Sequence, residues 1–333
     1  MKKIGVLGAG TWGMALARML CVSGHEVMVW SAIETEIDQL STTRLHPNLP
    51  GMQIPQELCF TKDIQQVCQN KDVLLFAVPS VFVRSTAKKA APHIPAGQII
   101  VDVAKGIEAD TLFTMSQIIA DEVKDPSVKI VALSGPTHAE EVAKDLPTTI
   151  VSACEDPEAA RVVQEVFANS CMRVYTNSDV LGVELCGALK NVMALGSGIA
   201  LGLGFGDNAK AALITRGMAE IVRLGSAMGC QPQTFYGLAG IGDLIVTATS
   251  MHSRNNRCGM LLGQGVAPEE AVKQVGMVVE GIHTLNAAMV LMEKYQVDMP
   301  IVRAVNAVVN HGADAHTEVL KLMEREQRPE NDK

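Results

Sequence analysis

Short apolar runs alternate with longer amphipathic stretches through the first half of this chain. Runs at residues 4–7, 26–30, 73–78, 99–103, 130–133, 149–152 and 173–175 have the length and β-branched content of buried strands. Helical spacing fills several gaps between them, at residues 12–21, 81–91 and 111–123. Strands that alternate with helices predict parallel crossovers and a doubly wound sheet. The stretch 40–58 holds Pro47, Pro50 and Pro55 and predicts a long loop.

Beyond about residue 179 the strand-like runs mostly stop, and helical patterns occupy 180–195, 208–228, 268–275, 282–295, 301–309 and 317–325. Pro300 falls just inside one helix start, where a missing N–H costs least. No repeat is visible. The pattern predicts an α/β domain over residues 1–180 and an all-helical domain over 181–333, joined by a helix that begins near Asp179.

Composition sharpens this picture. With 333 residues, 48% of them hydrophobic and 19% charged, the chain can bury about two cores. A net charge of −8 removes any electrostatic reason to expect nucleic acid, yet a few local cations suffice for one phosphorylated small molecule. The eight cysteines form no C-x-x-C pair and no zinc spacing with histidine, so they read as reduced, mostly buried thiols, and no metal is expected. The opening MKKIGVLGAG is broken by glycines at once and reads as strand and turn rather than as a signal peptide. The longest uncharged stretch, 191–206, is too short and too glycine-rich for a membrane span, and a cytoplasmic location follows as the default.

The candidate chemistry sits where strands end. Gly8, Gly10 and Gly13 form a G-x-G-x-x-G between the first strand and a helix. The first glycine allows the turn, the second admits a pyrophosphate and the third lets helix and strand pack closely. The second strand ends in Trp30-Ser31-Ala32, with Glu34 a little later and no adjacent Arg. That matches neither the carboxylate expected for NAD nor the arginine expected for NADP. Pro79 closes another strand and borders a cofactor or merely stops the strand. Lys105 follows a further strand on the same edge, as a ligand group or a surface lysine. Ser134-Gly135-Pro136-Thr137 opens a helix whose N–H groups suit an anion or simply need capping.

The most informative segment is 185–206, a small-residue helical run whose only charge is Lys190. An ammonium among such neighbours needs a cleft or a partner, and a desolvated lysine is a candidate proton donor; snorkelling to the surface is the alternative. Further on come a glycine-rich turn holding Asp243, the cluster His252-Ser253-Arg254-Asn255-Asn256-Arg257, and Val278-Val279-Glu280-Gly281. The cluster suits a phosphate or a solvated basic loop. The last motif reaches a cofactor or caps a helix.

Taken in order, GAGTWG, AVPS, AKGIE, SGPTHAEE, ELCGALKNV, FGDNAKAALITRG, GLAGIGDL, HSRNNRCG and VVEG closely resemble the bacterial-type NAD(P)-dependent glycerol-3-phosphate dehydrogenases, over nearly the whole chain. The resemblance implies a Rossmann-like dinucleotide-binding domain, a helical substrate-binding and catalytic domain, and usually a homodimer. It implies reversible reduction of dihydroxyacetone phosphate to sn-glycerol 3-phosphate with NAD or NADP, supplying glycerophospholipid synthesis. It casts Lys190 as proton donor, Asp243 as its partner and Lys105 as a contact of substrate and cofactor. Gly135, Thr137, Asn191, Thr247, Ser253, Arg254 and Asn255 fall at substrate positions. Thr11, Trp12, Ala139, Arg254, Val278 and Glu280 fall at cofactor positions. Ala32 stands where some relatives carry a basic side chain, which speaks against tight NADP binding. The phosphate cluster and Lys105 argue against a plain β-hydroxyacid dehydrogenase, and Lys190 argues against a catalytically silent nicotinamide sensor.

Overall fold

The structure, a computed structural model, describes residues 1–327 and 329–330. It divides into two compact units, Met1–Lys105 with Phe113–Val180, and Gly106–Leu112 with Leu181–Lys333.

The first unit is built on β1 (Lys3–Leu7), β2 (Glu26–Trp30), β3 (Cys59–Thr61), β4 (Val73–Phe76), β5 (Ile99–Asp102), β6 (Lys129–Ser134), β7 (Thr148–Ala153) and β8 (Met172–Asn177). They form one 8-stranded sheet in the order β3-β2-β1-β4-β5-β6-β7-β8. The strand β3 is additional to those the periodicity indicates. Strands β1 to β6 run parallel, whereas β7 is antiparallel to β6 and β8 follows β7. An all-parallel sheet is therefore corrected at this edge. The β6–β7 connection contains only the one-turn helix Ala139–Val142, too little to carry the chain back across the sheet, so it returns at the edge where it left. The 40–58 loop is also shorter than expected, because the helix Glu34–Thr43 occupies its start.

Residues alternate between two cores. Val73 and Leu75 of β4 join Ile4, Val6 and Met14 on one face of the sheet. Leu74 and Phe76 join Leu7 and Ile118 on the other. The C-terminal ends of β1 and β4 meet where the strand order reverses, which is the place an open α/β sheet receives ligands.

The second unit is helical. Its spine is Val180–Gly202, longer than the expected 180–195. This helix is long and apolar enough to cross a membrane by composition, but 89% of its most apolar window is buried inside the protein, which makes it a core helix. Its small residues let Arg254–Gly263 lie against it almost backbone to backbone. A Cβ at Gly198 would sit 2.1 Å from the Asn256 carbonyl oxygen, and one at Gly259 would sit 2.1 Å from that of Leu195. This approach delivers the polar start of one helix beside Asn191 of the other.

Elsewhere in this unit Glu220 of Asp207–Ala227 caps Pro300–His311, accepting from the N–H groups of Ile301 at 2.8 Å and Val302 at 3.3 Å. Burial pushes its carboxyl up to about 7, against the pull of those N–H groups and Arg223, with Asp298 adding to the rise. A folded value above the unfolded one means that the native state holds the proton more tightly. Glu220 therefore contributes most below pH ~4.5, and that contribution is lost as pH rises to about 7, on the order of 3 kcal/mol. Glu220→Gln should flatten this part of the stability profile; urea midpoints between pH 5 and about 8 that fall equally in both proteins would place the titration elsewhere.

Candidate functional site

The candidate residues fall into two groups, one on each unit. In the first, Gly8 takes φ +121° and its N–H donates to the Trp30 carbonyl at 2.8 Å, which turns the chain sharply off β1. A Cβ at Gly13 would lie 2.3 Å from the Gly8 carbonyl oxygen, so only glycine lets the helix Thr11–Val22 pack this close. Gly10 is different: nothing lies within 4 Å of where its Cβ would be. That opening stands at the N-terminus of a helix with no acid in its first turn and no side-chain cap. Thr11 Oγ1 is buried there with no hydrogen-bond partner among the described residues. An open cradle, an orphaned hydroxyl and unscreened helix N–H groups together fit a dinucleotide pyrophosphate.

Histidine 46, in the prolyl stretch, places Nε2 3.3 Å from the Ala9 carbonyl oxygen while Nδ1 accepts from the Asn48 N–H at 3.2 Å. Those partners require the neutral ring with its proton on Nε2, and burial lowers its pKa accordingly. Sequence reasoning missed this contact, which depends on how a loop folds back.

On the same edge, Phe82 N–H donates to the Pro79 carbonyl and starts a tight turn after β4. Asp102, buried at the end of β5, accepts from the Ala104 N–H at 3.2 Å and shapes the turn that carries Lys105. Lys105 Nζ donates to the Gly135 carbonyl at 3.1 Å, and Thr137 Oγ1 donates to the same oxygen at 3.2 Å. Ala139 begins the short helix that follows. Ser134 Oγ, in the same Ser134–Thr137 motif, is buried without a hydrogen-bond partner among the described residues.

In the second unit the structure brings Lys190, Asp243 and Thr247 together. Lys190 Nζ donates to Asp243 Oδ1 at 2.5 Å and to Thr247 Oγ1 at 2.6 Å. Lys190 is 7% exposed and Asp243 fully buried. The glycine-rich segment winds as a wide turn, Leu238–Gly242, and releases the helix Asp243–Thr249. Asp243 and Thr247 are thus one helical turn apart and face the same way. The buried ammonium has its carboxylate, so snorkelling is excluded.

Asn255 links three helices: its Nδ2 donates to Asn191 Oδ1 at 2.9 Å, and its Oδ1 accepts from the Gly281 N–H at 2.8 Å. The basic cluster is therefore not a solvated loop. Ser253 is the N-cap of Arg254–Gly263 and accepts from the Asn256 N–H at 3.2 Å, which holds half-buried Arg254 at the positive end of a helix. Val278 precedes the N-cap Val279, and Glu280 opens the helix Glu280–Tyr295.

All eight cysteines are free thiols. Burial pushes Cys68 up to about 12 and Cys258 up to about 11, values of inert thiols. Among the described residues no group of three His, Cys, Asp or Glu side chains is placed to hold a metal ion.

A glycine-rich loop at the switch point of a largely parallel sheet, with a buried carboxylate-paired lysine in a helical unit, is the equipment of a dinucleotide-dependent dehydrogenase. The chain belongs to the NAD-dependent glycerol-3-phosphate dehydrogenase family, whose N-terminal model matches residues 3–160 and whose C-terminal model matches residues 179–320. It is 68% identical to glycerol-3-phosphate dehydrogenase [NAD(P)+] 2 of Lactobacillus delbrueckii subsp. bulgaricus, over 99% of each chain. It is 51% identical to the glycerol-3-phosphate dehydrogenase [NAD(P)+] of Agathobacter rectalis, over 99% of this chain and 98% of that one. Among solved structures it is similar to glycerol-3-phosphate dehydrogenase from Coxiella burnetii, with a TM-score of 0.93 and 35% identity over 97% of this chain and 99% of that one.

Proposed function

We propose that this enzyme reduces dihydroxyacetone phosphate reversibly to sn-glycerol 3-phosphate, with Lys190 as the proton donor. The paired, buried Lys190 is the observation that carries the reading. Residues 1–180 are assigned to the dinucleotide, held by Gly8, Gly10, Thr11, Trp12, Gly13 and Pro79, with Lys105, Ala139, Arg254, Val278 and Glu280 as further contacts. Residues 181–333 are assigned to the triose and the acid. A nicotinamide held by the dinucleotide-binding residues would supply the hydride that C2 of the triose takes up. Negative charge then grows on the former carbonyl oxygen, and the Lys190 ammonium transfers a proton to it, leaving a neutral amine that solvent reprotonates. Asp243 and Thr247 aim Nζ and favour its charged form before the transfer. In the reverse direction the neutral amine takes the hydroxyl proton.

Lys105 adds positive charge near the developing oxyanion, with Gly135 and Thr137 shaping its surroundings. Ser253, Arg254, Asn255 and Asn191 are assigned to the substrate end, where the Arg254 guanidinium and the helix N-terminus hold the phosphate and fix the distance to the reacting carbon. The same reading has the enzyme acting in the cytoplasm as a homodimer and supplying glycerophospholipid synthesis.

Oxidation of NADH or NADPH, followed by absorbance on adding dihydroxyacetone phosphate, tests the activity. Arg254→Ala should lower kcat/KM for that substrate by roughly 10²-fold or more, while unphosphorylated dihydroxyacetone, already poor, should lose far less. Equal losses for both would move Arg254 to the cofactor or the fold. No absorbance change with the parent protein would remove the reaction itself.

A further inference from the structure

The end of β2 carries neither sequence signal for reading the adenosine ribose, yet the structure supplies one from elsewhere. Ser31, 7% exposed, directly follows Trp30 on that strand. Its Oγ donates to Glu36 Oε2 at 2.6 Å and accepts from the Ile33 N–H at 3.2 Å. The chain thus turns off the strand into Glu34–Thr43 with the Glu36 carboxylate folded back onto the strand end. Glu36 also acts electrostatically on His46, the ring that contacts the Ala9 carbonyl of the glycine-rich loop. Glu34, the acid nearer in sequence, instead faces Lys62 at 3.6 Å.

The cations of the neighbouring segment are already committed. Thr61 pairs with Trp30 in register, so Lys62 is the next residue along that edge. Lys62 is bound to Asp38 at 2.8 Å and Glu34 at 3.6 Å. Arg44 donates to the carbonyls of Pro55 at 3.1 Å and Leu58 at 2.7 Å and stacks over Phe60. A 2′-phosphate arriving at this corner meets a carboxylate, while both cations are turned to other partners.

We propose that Glu36 is the ribose-reading, cofactor-specificity residue of this chain: held at the end of β2 by Ser31, it accepts from the ribose hydroxyl of NADH and repels the 2′-phosphate of NADPH. The proposal rests on the reading that the Gly8–Gly13 loop holds the dinucleotide. A carboxylate about 20 residues past a glycine-rich loop does this in Rossmann folds generally; here it comes from the first turn of a helix instead of from the strand. The site still takes both cofactors, with a bias set by one charge.

Calorimetric titration of the full chain with NADH and with NADPH, without triose, tests this independently of turnover. The parent should bind NADH more tightly. Glu36→Gln should shift the ratio of the two dissociation constants toward NADPH by about tenfold or more, because a like-charge contact is removed while a hydrogen-bond acceptor is kept. Ser31→Ala keeps the carboxylate but releases its tether, and should give a smaller shift in the same direction. Raising ionic strength should shrink the parent's bias and leave that of Glu36→Gln nearly unchanged. A ratio that Glu36→Gln leaves unmoved, or equal weakening of both cofactors, overturns the role of Glu36. Failure of the parent to bind either cofactor would bring down the glycine-loop reading, and this proposal with it.

Discussion

Asp243→Ala should destabilise the protein by about 3–5 kcal/mol, the range for leaving one member of a buried ion pair without the other. Asp243 is fully buried, and its Oδ1 takes both the Lys190 ammonium and the Thr247 hydroxyl. In the variant the ammonium keeps the Thr247 hydroxyl, which cannot balance its charge. Adding Lys190→Met to Asp243→Ala should restore most of the lost stability, because the stranded charge is then gone. The double variant also keeps the test readable if the single one does not accumulate. Urea midpoints of the four proteins give the coupling directly. A single variant as stable as the parent would mean that Lys190 points to water in solution. Turnover should not return in the double variant, since the proton donor is absent from it.

The catalytic pair was half legible in the sequence. Lys190 stands out as one charge in a run of small and apolar residues, and that signal needs no structure. Its partnership with Asp243 and Thr247 rests on a helix that begins at Asp243 after a wide turn, and glycine spacing does not fix where such a turn ends. The turn of the glycine-rich loop was legible, because two of its glycines answer a local demand: Gly8 for its φ, Gly13 for its approach to the Gly8 carbonyl. In sequence the basic cluster also reads as a loop, because Arg254–Gly263 opens with four polar residues. What makes it a helix start is tertiary, the glycine contacts with Val180–Gly202.

The fold shows the same division. Strands buried on both faces announce themselves as apolar runs. Strand β3 has three residues and follows a prolyl stretch, too short to give a period. Glu34–Thr43 buries only Ile37 and Leu40, so its apolar stripe is thin, and Glu36 went unnoticed with it. Pro157–Phe167 carries a readable start, with Asp156 capping the Glu158 and Ala159 N–H groups and proline first inside. The reversal of β7 was not legible: apolar runs carry no direction, and only the brevity of the β6–β7 link decides it.

Lys190→Met should lower turnover by roughly 10²–10⁴-fold, the span for removing a general acid. Methionine keeps the length of the side chain in a helix whose neighbouring Cys186, Leu189 and Met193 are all buried. Asp243 then loses its cation and keeps the Thr247 hydroxyl at 3.3 Å, so some stability is lost along with the turnover. NADH affinity should hardly change, because the proposed pyrophosphate site is the loop at Gly8–Gly13 on the first unit. Turnover, thermal midpoint and NADH affinity measured on one preparation separate the possibilities. A fall in all three would make Lys190 a structural anchor. A fall in turnover alone, with KM for the triose little altered, marks a group that acts in the transition state. A folded variant that binds NADH and reduces dihydroxyacetone phosphate at near the parent rate takes Lys190 out of the mechanism. Lys105, whose Nζ lies on the Gly135 carbonyl at the ligand edge of the sheet, would then be the next candidate.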